Sequence, residues 1–363
     1  MHTLTHREYL AMRRFPALDG LRAVAALMVV FFHFGGTRWG FLSGWSGVHV
    51  FFVLSGFLIT TLLLREQDRA GKISLRNFYL RRFFRIIPVY VITFAAVVAV
   101  FSLRGEYDAS GLHAAMPYYL TFFNEFADPS AFIVSWSLGI EQKFYLFWPL
   151  LAFAVALGFR ARLAVTVGTT ALVLCLFPLV DGGWPVHYLV MLTGALLAVV
   201  LHHRRGFALL RPLTHPVAGT LVAVALVAGQ VSIRFAVPWV GTEPPVIAAY
   251  GVLIALGLPA LLGAGPVPWL LAQRPLAAIG DRSYALYLLQ PLAGLMAGGV
   301  LAAPGTTRNA LLVAAIALGM ADLMYRVVEQ PMIRLGRRLT APPKPATTPP
   351  ASPVEQDALT HAS

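Results

Sequence analysis

Long apolar stretches alternate with short basic or turn-forming ones along the whole chain. A helix rises 1.5 Å per residue, so roughly 20 apolar residues cross a hydrocarbon core of about 30 Å. On that pattern ten spans are expected, at residues 15–35, 48–64, 86–103, 138–157, 163–180, 186–201, 216–231, 246–263, 284–302 and 310–328. Connections such as "DGGWP" (Asp181–Pro185) and "APGTTRN" (Ala303–Asn309) read as turns. The longest, 104–135, carries the aromatic run "MPYYLTFFNEF" and is expected to include a surface-lying amphipathic helix. The expected fold class is all-α: a polytopic integral membrane protein of about ten transmembrane helices with both termini cytoplasmic. Residues 1–14 form a cytoplasmic segment, 15–340 one transmembrane domain, and 341–363 a disordered Pro/Thr/Ala-rich tail. The first span shows no small-residue cleavage site after it and reads as retained.

Composition agrees. Of 363 residues, 58% are hydrophobic and 12% charged, about half the charge of a soluble domain, and the mean hydropathy is +0.71. The net charge of +12 would suggest nucleic acid in a soluble chain, but in a membrane protein it follows from Lys and Arg collecting on cytoplasmic loops. With ten spans and an inner N-terminus, 23 of the 28 Lys and Arg residues fall inside and 5 outside. One miscounted span would scramble that bias. The single cysteine, Cys175, excludes an intrachain disulfide, and no residue cluster suggests a metal.

Against this apolar ground a few polar residues stand out. "LDGLRAVAALMVVFFHF" (Leu18–Phe34) carries Arg22 and His33 on one helix. Eleven residues rise about 16 Å and make close to three turns, so both lie on nearly the same face, Arg22 near the inner surface and His33 in the outer half. Arg22 reads either as a snorkelling anchor or as a functional cation, and His33 either as a packing histidine or as a general base. Glu141, in "SWSLGIEQKFYLFWPL" (Ser135–Leu150), enters the fourth span at a depth expected to match His33. It would pair with Lys143, orient His33, or hold an acceptor hydroxyl. Trp136, Tyr145 and Trp148 beside it suit an interface belt or a sugar-binding surface. In "RNFYLRRFFRIIPVY" (Arg76–Tyr90), Arg82 and Arg85 share a helical face where the chain enters the membrane, as an anchor or as a phosphate clamp.

Taken together, "FPALDGLRAVAALMVVFFHF", "GVHVFFVLSGFLI", "RNFYLRRFFRIIPVY", "SWSLGIEQKFYLFWP", "SYALYLLQP" and "VEQP", in that order, resemble the membrane-bound acyltransferase 3 family across nearly all the spans. The resemblance implies a bacterial inner-membrane enzyme that moves an acetyl or short acyl group from cytoplasmic acyl-CoA to a hydroxyl, usually on a sugar. The acceptor would be a surface polysaccharide, a lipid-linked glycan or a macrolide sugar. By the same token His33 matches the family's essential histidine, Arg22 the arginine before it, Arg82 and Arg85 its RxxR pair, and Glu141 its SLxxE glutamate. Two positions depart from the pattern: His49 stands where the family shows an aspartate, and Gln290 where it shows a histidine. Both are expected to touch the acceptor, with Trp136 and Tyr145.

The mechanism expected from this set has Arg22, Arg82 and Arg85 holding the donor's phosphates, His33 as general base and Glu141 orienting the imidazole. Acyl-CoA is the co-substrate and no cofactor is tightly bound; beyond donor and acceptor, the expected contacts are membrane lipids and not nucleic acid. Two other readings compete. One is a proton-coupled transporter or flippase using Arg22, His33 and Glu141 as a relay; the other is a degenerate member that binds without catalysis.

Overall fold

The computed structural model describes residues 3–179, 183–298 and 303–341, and these are built from helices with no strand among them. Ten long helices carry the architecture. They are α1 (Pro16–Phe34), α2 (Gly47–Ala70), α3 (Leu75–Leu103), α4 (Trp136–Phe153), α5 (Phe159–Leu176), α6 (Pro185–His202), α7 (Pro216–Val240), α8 (Glu243–Leu262), α9 (Ser283–Gly298) and α10 (Thr307–Met324). All but α4 and α9 are long and apolar enough to cross a membrane. Of the two that fall short, α4 carries Glu141, Gln142 and Lys143 in succession, and α9 is described over 16 residues. An all-α, multi-pass membrane protein is thus what the sequence pattern produces. The expected tail, apart from Ala341, and residues 299–302 of the expected ninth span lie outside the described residues.

Two boundaries move outward from the hydropathy pattern. The third span was expected from residue 86, but α3 begins at Leu75, where the Ser74 side chain accepts a hydrogen bond from the Asn77 backbone N–H as an N-cap. Arg82 and Arg85 therefore sit two turns inside a continuous helix. The last span does not stop at residue 328. It widens into a π-turn at Tyr325–Glu329 and continues as Gln330–Leu339. Pro331 explains the turn, because its ring has no N–H and crowds the carbonyl four residues back, which the wider i→i−5 spacing relieves. In the long connection a ten-residue helix forms at Leu112–Thr121.

Packing is closest between α2 and α6. A Cβ built on Gly56 would lie 1.9 Å from the Met191 carbonyl oxygen, and one on Gly194 2.1 Å from that of Val53. Only hydrogen fits at either position, so the backbones touch, as small residues permit between membrane helices. Several buried polar groups are satisfied internally, as an environment without water favours. The Trp148 indole N–H donates to Thr60 Oγ1 at 2.8 Å, and the Asn124 amide donates to Tyr90 OH and Ser135 Oγ at 3.0 and 2.8 Å. Lys143 forms a half-buried pair with Glu125 at 2.7 Å and also donates to the carbonyls of Phe122 and Gly139. Lys143 is therefore not the partner of Glu141, and its own partner lies in the preceding connection.

Candidate active site

A cavity of about 410 Å³ opens among α1, α2, α3, α4 and α9. At its mouth stand Arg13 and Arg14, just before α1, and Arg337, in the helical continuation Gln330–Leu339 after α10, so the two ends of the described chain meet there. Deeper in, Arg22, Arg82 and Arg85 line its wall. None of these three forms a hydrogen bond or an ion pair among the described residues; Arg82 instead lies over the Phe78 and Tyr145 rings, 5.7 and 5.3 Å from their centroids. Seven arginines line the cavity against three carboxylates, Asp19, Glu141 and Asp281. Free guanidinium groups at membrane depth are costly, so this excess is an anion site in waiting.

Beyond the arginines the cavity narrows onto Ser55, Glu141 and Tyr145. The Ser55 hydroxyl donates to Glu141 Oε1 at 2.9 Å. The Tyr145 hydroxyl lies 3.1 Å from Glu141 Oε2 and 2.9 Å from Ser55 Oγ, and its one proton serves one of them at a time. Tyr287 also lines the cavity. Its hydroxyl donates to the Val134 carbonyl at 2.6 Å and accepts from Ser137 Oγ at 3.1 Å.

His33 is not in that lining. Its ring is exposed near the end of α1, and its Nδ1 lies 3.1 Å from Gln290 Oε1. Gln290 is buried, and its amide N–H₂ donates to the Tyr287 carbonyl at 3.0 Å, which turns Oε1 toward the imidazole. An amide oxygen only accepts, so His33 must carry its proton on Nδ1 and present a bare lone pair at Nε2, the form a general base requires. Gln290 follows the cavity-lining Tyr287 by three residues, about 4.5 Å of helical rise. One turn of α9 thus joins the cavity lining to the residue that holds the histidine.

The family profile described as an acyltransferase domain matches residues 15–325. The chain belongs to that family. Over 360 aligned residues it is 31% identical to the peptidoglycan O-acetyltransferase OatA of Listeria monocytogenes, covering 88% of this chain and 56% of that protein. It is 35% identical over 189 residues to a Bacillus subtilis protein provisionally named a peptidoglycan O-acetyltransferase, and 32% identical over 167 residues to Staphylococcus aureus proteins provisionally named O-acetyltransferases. Those alignments cover 48% and 43% of this chain and 28% and 27% of the relatives. The chain spans about half the length of the first of these relatives and little more than a quarter of the others. No solved structure matches it.

Among the acyltransferase-family residues singled out by sequence, Arg22, Arg82, Arg85, Glu141 and Tyr145 come together in the cavity, while His33 and Gln290 form a second centre beside it. Glu141 was expected to orient His33 at a similar depth. Its oxygens instead take Ser55 and Tyr145, and its cationic neighbours are Arg22 and Arg82; the orienting residue is Gln290. Gln290 was expected to touch the acceptor, but both ends of its amide are held by the protein. His49 is buried with its Nε2 3.3 Å from His187 Nδ1 and lines no part of the cavity. Trp136 packs on His187 and Trp184, with ring centroids 5.0 and 5.7 Å apart, outside the cavity as well. No protein hydrogen bonds join Glu141 to His33 among the described residues. Sequence reading passed over Ser55, Asp19, Tyr284 and Tyr287, although "VLSGF" and "SYALYLLQ" contained three of them.

Proposed function

We propose that the chain is a membrane O-acyltransferase that takes an acetyl or other short acyl group from acyl-CoA and delivers it to a carbohydrate hydroxyl. The names of its relatives favour a sugar of peptidoglycan. The observation that carries the reading is the cavity itself, with unpaired arginines along its wall and, one turn of α9 from its lining residue Tyr287, a glutamine that holds a base-competent histidine.

Arg82 and Arg85, with Arg22, suit the diphosphate and 3′-phosphate of a coenzyme A, since guanidinium forks match phosphate oxygens. The pantetheine arm follows the cavity and brings the thioester to the stretch lined by Ser55, Glu141, Tyr145 and Tyr287. The acceptor arrives from the exposed face of His33, whose Nε2 takes the proton of its hydroxyl as the oxygen attacks the acyl carbonyl. Gln290 holds the imidazole in the tautomer that can do this and accepts from Nδ1–H as the ring becomes charged. Donor and acceptor then enter from opposite ends, which suits a cytoplasmic donor and an extracytoplasmic glycan.

Purified full-length protein in vesicles, given acetyl-CoA with and without peptidoglycan fragments, lipid-linked glycans or macrolides, tests the reading. Coenzyme A should be released in step with O-acetylation of one acceptor class. Proton-coupled flux without acyl-CoA, and no coenzyme A release with any acceptor, would replace this reading with the transporter.

A further inference from the structure

The donor cavity holds a nucleophile arrangement of its own. The geometry points to Ser55 as a nucleophile that takes the acyl group from the donor, forming an acyl-serine before the acceptor is engaged. This rests on the acyltransfer reading of the cavity and adds a covalent step to it.

An activated hydroxyl needs a base within hydrogen-bond reach and a third group that fixes the base. Ser55 Oγ is 2.9 Å from Glu141 Oε1 and donates to it, and the Tyr145 hydroxyl is 3.1 Å from the other carboxylate oxygen. All three side chains face the cavity lined by the unpaired arginines. His33, the base for the acceptor, has no place in that lining, so the donor carbonyl reaches the Ser55 centre first. Phe51, one turn along α2 from Ser55, packs on Tyr287 with ring centroids 6.5 Å apart, which sets the serine close to the wall on the His33 side.

In the first step Ser55 Oγ forms a bond to the thioester carbonyl carbon as its proton passes to the Glu141 carboxylate. The C–S bond breaks, and the departing thiolate takes the proton back from Glu141 to leave as the free thiol of coenzyme A. In the second step the acceptor oxygen, losing its proton to His33, attacks the acyl-serine carbonyl. The bond to Ser55 Oγ breaks, Oγ takes the proton of the Tyr145 hydroxyl that donates to it, and Tyr145 regains a proton from solvent, matching the one that His33 releases. The released proton ends on His33 and returns to solvent.

The test uses the full-length protein with radiolabelled acetyl-CoA and no acceptor, quenched in acid, digested and mapped by mass spectrometry. Wild type should carry one acetyl group on the peptide containing Ser55, and peptidoglycan fragments added before the quench should remove it. Ser55→Ala should still bind acetyl-CoA but take no label there. Ser55→Cys should take the acetyl group as a thioester that neutral hydroxylamine cleaves, which a merely structural serine would not produce. Three outcomes overturn the proposal and leave the acyltransferase standing: turnover of Ser55→Ala within about twofold of wild type, label on His33 or Tyr145 instead, or acceptor acetylation with no labelled residue. If coenzyme A is released under no condition, the acyltransfer reading falls and this one with it.

Discussion

Replacing Gln290 with leucine separates the role of positioning the base from that of binding substrate. Leucine keeps the volume of the buried side chain but removes the oxygen 3.1 Å from His33 Nδ1 and the amide that donates to the Tyr287 carbonyl. The imidazole then loses the acceptor that selects its tautomer, and the imidazolium formed in the transition state loses a charge-assisted hydrogen bond. Such a bond contributes about 1.5–3 kcal/mol. At 1.36 kcal/mol per factor of ten, kcat should fall by roughly 10- to 150-fold. Gln290 lines no part of the donor cavity, so KM for acetyl-CoA should stay near the wild-type value. Gln290→Glu, whose carboxylate also accepts from Nδ1–H, should recover more of kcat than leucine does. The assay is steady-state coenzyme A release with a saturating glycan acceptor, alongside a melting curve in detergent to show that each variant is folded. A leucine variant with wild-type kcat, or one whose whole loss lies in KM for the donor, would refute this role for Gln290.

Further expectations concern other parts of the molecule. Arg82→Gln and Arg85→Gln should each weaken acetyl-CoA binding by roughly 10- to 150-fold, the loss of one charge-assisted contact of about 1.5–3 kcal/mol, read by titration calorimetry. Glu125→Gln breaks the half-buried pair with Lys143 and should lower stability by about 3–5 kcal/mol in detergent unfolding, without altering donor affinity. Gly56→Ala forces a methyl group against the Met191 carbonyl and should destabilise the α2–α6 crossing by about 1–3 kcal/mol, seen as a lower melting temperature.

Much of the architecture was legible because the bilayer imposes it. A run of apolar residues long enough to span leaves few alternatives, and the arginines that flank such runs point to one side. Arg22, Arg82 and Arg85 were legible as a group for the same reason, since any cation in so apolar a chain stands out. What the sequence did not disclose were pairings between distant segments. Glu141 met Ser55 across 86 positions and not the lysine two residues away, and His33 met Gln290 across 257. Side-chain partnership of that kind depends on helix rotation, which an apolar stripe fixes only to within a residue or two. Gln290 was read as an acceptor contact standing where the family shows a histidine. Its oxygen 3.1 Å from His33 Nδ1 suits a different task, for which an amide is sufficient. Ser55 escaped notice because a serine beside a glycine in a membrane helix is commonly a packing residue, and only the carboxylate arriving from α4 makes it more than that.

At the centre of the account is a division of labour, in which guanidinium groups bind the donor and a separate imidazole activates the acceptor. Measuring acetyl-CoA binding and sustained glycan acetylation on the same preparation of His33→Ala tests it most directly. Donor affinity should match wild type, while coenzyme A release stops after no more than one turnover per protein. Continued acetylation at the wild-type rate, or loss of donor binding in a folded His33→Ala protein, would contradict it.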